Sequence, residues 1–146
     1  MKVLVDTTVW SLALRRRPEH LAKDQAGLRK VLCDLIADDR VMMIGPVRQE
    51  LLSGVRDSTV YEQLHERLSD FDDELLVTED FETAAQVHNA CRTAGISGSA
   101  IDFLICAVAL RRDITIFTTD QDFVRYASVV RIRLYEPDIH ETSSAG

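Results

Sequence analysis

Short apolar runs alternate with segments of helical spacing along almost the whole chain, and this alternation limits the fold more than any other feature. The runs lie at 2–5, 41–44, 75–77, 114–117 and 130–135. Between them the spacing predicts helices over 7–15, 25–38, 46–53, 58–69, 79–93 and 98–110, with a short one after 123. The 25–38 segment carries Leu28, Val31, Leu32, Leu35 and Ile36 on one stripe, and 58–69 carries Tyr61, Leu64 and Leu68. Pro18 ends the first helix, Pro46 suits the first position of the third, and Thr78 suits the N-cap before 79. Strands apolar on both faces need helices on both faces. The fold class is therefore α/β, a sandwich with a mainly parallel sheet of five strands.

At 146 residues the chain suits one domain, expected over 1–140, with ETSSAG at 141–146 as a flexible tail. No composition break or internal repeat divides it. Cys33, Cys91 and Cys106 sit in apolar stretches without C-x-x-C spacing and read as reduced core residues. The acid at position 6 does not suit a signal peptide, and no apolar run nears the ~18–20 residues of a membrane span. A cytoplasmic protein with no membrane partner is the expectation. With 17 basic residues against 24 acidic and a net charge of −7, the chain should not bind nucleic acid non-specifically by charge alone, and binding would need carboxylates covered by cations and basic residues grouped elsewhere.

Parallel sheets place ligands beyond the carboxyl ends of their strands. Asp6 ends the first run, Asp120 follows the fourth, and Glu50 lies one turn into the helix after the second. Asp102 opens the helix before the fourth run, which can begin at the same edge. Its segment AIDFLICAVAL puts Asp102 on the inward stripe of a helix apolar nearly all round. An ionised carboxylate there needs a partner or a cation. Taken singly, each acid has a plainer reading: a cap for Asp6, Asp120 or Asp122, a salt bridge for Asp102, a solvated helix face for Glu50. Four at one edge point to a site.

Two carboxylates ~4 Å apart repel by ~4 kcal/mol at an effective dielectric of ~20. A divalent cation removes that repulsion, and an all-oxygen ligand set selects Mg²⁺ or Mn²⁺ over zinc. None of His20, His65, His88 and His140 adjoins the acids in sequence. Such a site suits phosphodiester hydrolysis by a metal-activated water.

The segments VLVDTTVW, RQELLSG, AIDFLICAVAL and FTTDQDF, in this order, resemble the acidic motifs of the PIN-domain ribonucleases, and most of all the VapC toxins of VapBC toxin–antitoxin pairs. The resemblance spans essentially the whole chain. It implies a three-layer α/β/α sandwich with a five-stranded sheet, with Asp6, Glu50, Asp102 and Asp120 as the catalytic, metal-binding acids. It implies Asp122 as an auxiliary acid and Thr118 or Thr119 orienting a water. It also implies Mg²⁺- or Mn²⁺-dependent endonucleolytic cleavage of RNA such as tRNA or rRNA, a homodimer, and inhibition by a cognate VapB-type antitoxin.

Arg15, Arg16 and Arg17 form the clearest basic cluster, suited to RNA phosphates, to acidic residues of an antitoxin, or simply to a solvated helix end. Arg48 beside Glu50 could pair with an acid or reach substrate, and Arg111 and Arg112 complement a helix dipole. Competing chemistries fail on named absences. A haloacid-dehalogenase-type phosphatase needs an acid at position 8, which is Thr8. A receiver domain needs an Asp after its third strand and a Lys after its fifth. The G-x-G-x-x-G of dinucleotide binding does not occur. A PIN nuclease of RNA processing and a non-catalytic PIN-like binding domain remain as alternatives.

Overall fold

In a computed structural model, residues 1–137 are described. The expected tail at 141–146, and the last three residues of the expected domain, lie outside them. Four strands form one sheet: β1 (Val3–Val5), β2 (Val41–Met42), β3 (Thr115–Phe117) and β4 (Arg133–Leu134). Their order is β2-β1-β3-β4, and every pairing is parallel. Val3 lies opposite both Val41 and Thr115, so β1 is central and wholly buried.

Helices α1 (Thr7–Leu14) and α2 (Lys23–Ala37) cross from β1 to β2, with a 3₁₀ turn at Pro18–His20 between them. Helices α3 (Gly45–Leu52), α4 (Ser58–Leu68), α5 (Thr78–Thr93) and α6 (Ala100–Arg112) lead from β2 to β3, and α7 (Asp122–Ala127) leads to β4. The first crossover runs toward one edge of the sheet and the later ones toward the other. Right-handed connections then put their helices on opposite faces, which makes the sandwich. The order also reverses between β1 and β3, so the crevice beyond their carboxyl ends is the topological switch point.

The sheet has four strands among the described residues, where five were expected. The 75–77 run makes no ladder. Its neighbourhood contributes one parallel bridge, Met43 to Asp73, and a bond from Glu74 N to Met43 O of 2.7 Å. The backbone groups of the run are engaged elsewhere: Leu75 O accepts from Arg112 at 3.2 Å, and Val77 N donates to the Asp80 carboxylate at 2.9 Å. Leu75 itself is 80% exposed. Thr78 is accordingly the first residue of α5, and Val77 holds the N-cap position.

The core is built on α6, where seven consecutive residues from Phe103 to Ala109 are buried. Trp10 is buried and meets the Phe71 ring edge-on, centroids 4.9 Å apart. Cys91 and Cys106 are buried thiols, but Cys33 is exposed. It sits between Leu32 and Leu35 of the inward stripe and so points outward. Arg111 and Arg112 do more than complement the α6 dipole. Both reach the fully buried Asp80, at 2.6 and 2.7 Å. No helix among the described residues is long and apolar enough to cross a membrane.

Candidate active site

Asp6 extends β1 by one residue, its backbone N–H donating to Phe117 O at 2.9 Å. The side chain is buried, and its Oδ2 accepts from the hydroxyls of Thr8 at 2.9 Å and Thr118 at 2.8 Å. The Thr118 oxygen in turn accepts from Asp120 N at 3.0 Å, and Thr119 N donates to the Thr8 hydroxyl at 3.1 Å. The β1–α1 and β3–α7 connections are thereby stitched together through two threonines, and Asp6 is fixed in one orientation.

Asp102 comes from the opposite direction. Ser99 caps α6 by accepting from Asp102 N at 3.1 Å, which sets this acid in the first turn, where the helix dipole favours negative charge. Its Oδ2 accepts from the Tyr126 hydroxyl at 2.7 Å. Asp122 N donates to Asp120 Oδ1 at 2.9 Å, so the TTDQDF turn folds on itself and presents both acids together. One carboxylate oxygen each of Asp102, Asp120 and Asp122 lies within 4.8 Å of the other two.

Asp6 and Glu50 fall outside that trio but belong to the same electrostatic group. Burial, and then the charges of Asp6 and Asp102, raise the Glu50 carboxyl above its ordinary range, with the Thr7 hydroxyl acting in the opposite sense. Asp102 is raised by burial, and next by Asp6 and Asp120, against the lowering pull of Tyr126 and Ser99. This is the response expected of partly buried carboxylates crowded together. Asp122 also contacts the exposed guanidinium of Arg125 one turn on. The donor set is entirely carboxylate oxygen, the chemistry of a hard divalent cation, so Mg²⁺ or Mn²⁺ fits the residues present.

Unlike Arg125, the basic residues singled out in the sequence stand away from these acids. Arg15, Arg16 and Arg17 are exposed past the far end of α1, a helix of eight residues that spans ~12 Å from the Asp6 end. Arg15 lines a groove of about 830 Å³ together with Val60, Leu64 and Arg67 of α4. Arg48 is engaged in structure, donating to Asp73 at 2.9 Å, to Leu68 O at 2.8 Å and to Phe71 O. His88 stacks on Phe103 with centroids 4.9 Å apart, and His65 stacks on Tyr61.

A family model described as the PIN domain matches residues 3–129. The chain belongs to the PIN-domain family. PIN domains are nucleases, so membership makes this chain one of a group of hydrolases acting on nucleic acid. Solved structures share the fold. FitAcB from Neisseria gonorrhoeae is 23% identical with a TM-score of 0.71, over 92% of this chain and 97% of that one. VapBC2 from Rickettsia felis, bound to a DNA fragment from its promoter, is 17% identical at 0.72, over 94% and 100%. VapBC-5 from Mycobacterium tuberculosis, a member of the VapBC family of toxin–antitoxin systems, is 18% identical at 0.64, also over 94% and 100%. No curated protein sequence matches the chain significantly.

Two residues of this PIN domain escape a reading by motif. Tyr126 is buried, 24 positions from the acid it touches, and nothing in its local spacing marks it. Gly98 makes room for it: a Cβ there would collide with the Tyr126 hydroxyl and come within 2.8 Å of Phe103 Cζ. Gly98→Ala is therefore expected to cost ~1–3 kcal/mol through overpacking, measured as a loss in urea-unfolding free energy. A cost below ~0.5 kcal/mol would mean the loop moves aside freely.

Proposed function

We propose that this PIN domain is a Mg²⁺- or Mn²⁺-dependent endoribonuclease acting as the toxin of a type II toxin–antitoxin pair. The observation that carries the proposal is the convergence of Asp102, Asp120 and Asp122 at the switch point of the sheet, with Asp6 and Glu50 coupled to them by charge. The toxin reading draws on the likeness to FitAcB and the VapBC structures, and a VapB-type antitoxin and a homodimer come with it.

Asp6, Asp102, Asp120 and Glu50 are the acids proposed to hold the ion, with Asp122 as the auxiliary acid. A divalent cation, when bound, supplies charge neutralisation at the phosphate and acidifies water for attack. The chain's own residues do the rest. Thr8 and Thr118 keep Asp6 from rotating, and Ser99 fixes the start of α6 so that Asp102 faces the crevice. With a net charge of −7, the protein repels an RNA backbone unless this acidic centre is neutralised, which makes cation binding a condition for docking as well as for chemistry.

The test is cleavage of purified RNA by protein stripped of any antitoxin. Activity is expected with Mg²⁺ or Mn²⁺ and none with a chelator. It should weaken with salt less steeply than for a protein with a broad basic face. Metal-independent cleavage, or no cleavage with either ion, overturns the proposal. A small VapB-like reading frame beside the gene, and release of growth inhibition on its co-expression, separate a toxin from a nuclease of RNA processing.

A further inference from the structure

We infer that Tyr126 is a positioning residue for the metal centre: its hydroxyl locks the Asp102 carboxylate in the orientation that faces Asp120 and Asp122. The inference rests on the metal-dependent reading above. Three observations carry it. The hydroxyl donates to Asp102 Oδ2 at 2.7 Å, which pins one oxygen of the carboxylate. The ring cannot move to follow a wandering carboxylate. It is fully buried, packed against Phe103 with centroids 5.4 Å apart and edge-on to Phe123 at 5.2 Å. Finally, the loop before α6 is shaped around this hydroxyl, because any side chain at position 98 would occupy its place.

The connectivity gives the contact its purpose. Phe123 and Tyr126 lie on α7, the helix that begins at Asp122, while Asp102 and Phe103 lie on α6. The hydroxyl-to-carboxylate bond is thus the polar tie between the two elements that bring the acidic trio together. Without it, Asp102 is free to turn away from two like charges. With it, the repulsion is held in place until a cation relieves it. Hydrogen bonds of this kind to a ligating group, made by a residue that never touches the ion, are typically worth 10–100-fold in metal affinity.

Tyr126→Phe keeps the ring and removes only the hydroxyl, so folding is retained. Its Mn²⁺ affinity is measured by electron paramagnetic resonance of free Mn²⁺, beside Asp102→Asn and the double variant, with thermal unfolding of the metal-free proteins in parallel. The expected result is a 10–100-fold weaker dissociation constant for Tyr126→Phe. No further loss is expected when the change is added to Asp102→Asn, since the hydroxyl acts through that carboxylate. Unchanged Mn²⁺ affinity in Tyr126→Phe, with a lowered melting temperature, would make the contact purely structural and overturn the inference. If Asp102→Asn also binds Mn²⁺ as the parent does, the metal reading itself falls. Loss in Asp102→Asn with none in Tyr126→Phe removes the positioning role alone.

Discussion

Under the proposed function, Asp102→Asn is expected to abolish the Mg²⁺- or Mn²⁺-dependent cleavage of RNA while leaving the fold intact. Partners that merely orient a ligand are worth 10–100-fold in affinity or activity, so loss of the ligand itself should exceed ~100-fold. The amide has the same shape. Its oxygen can still accept from Tyr126, and the Ser99 cap engages the backbone of residue 102 rather than its side chain. A second effect separates this outcome from misfolding. One carboxylate oxygen each of Asp102, Asp120 and Asp122 lies within 4.8 Å of the others, and unscreened repulsion at such a distance is on the order of 3 kcal/mol at an effective dielectric of ~20. Solvent at these half-buried positions reduces that figure, but the sign stands. The variant should melt at or above the parent temperature in chelator and below it in saturating Mn²⁺, because only the parent gains stability from the ion. A variant that melts lower under both conditions, or that cleaves RNA at the parent rate, would contradict the acidic centre.

Where these acids fall in the fold, as distinct from what they do, was largely legible in the sequence. In a parallel sheet every β-to-α connection opens at one edge, so an acid placed just after an apolar run has its location in space fixed by topology. Asp6 and Asp120 follow from this rule alone. Asp102 was legible for a different reason: a charge on the inward stripe of an all-apolar helix is costly unless something compensates it. Pairings between distant positions left no such trace. Neither Tyr126 with Asp102 nor Asp80 with Arg111 and Arg112 has a periodic signature, because these contacts are set by how α5, α6 and α7 pack. The 75–77 run shows the converse limit. Its composition is that of a strand, yet a helix-capping carboxylate and an arginine hold its backbone groups in place of a ladder. Composition records what a segment can do, and the partners nearby decide which of those options is taken.

Asp80→Asn should be strongly destabilising although it lies away from the acidic centre. Asp80 has no solvent exposure and accepts from Arg111, twice from Arg112, and from the N–H of Val77 that opens α5. Removing its charge leaves the Arg111 guanidinium without its counter-ion and Arg112 with only the longer contact to Glu74 at 3.4 Å. Breaking a buried pair in this way costs ~3–5 kcal/mol. The lower end applies here, because both arginine side chains keep some contact with water and can relax toward it. The guanidinium of Arg112 first, and with it Val77 N–H and Arg111, hold the Asp80 carboxyl far below the usual carboxylate range against the opposing effect of burial. A depressed folded-state value means that the unfolded chain takes up the proton first. The stabilisation is therefore fully present above the unfolded value near 4, and is lost progressively as the pH falls toward the folded one. Urea unfolding should show the parent more stable by about 3 kcal/mol at pH 7, with the gap narrowing steadily below pH 4. A gap under ~1 kcal/mol at neutral pH, or one that does not shrink in acid, would show that the carboxylate is not the clamp. The clamp also bears on function. It ties the start of α5 to the end of α6, and the other end of α6 carries Asp102. Under the proposed function, Asp80→Asn should thus lower the temperature at which RNA cleavage fails while leaving the rate near that of the parent well below it.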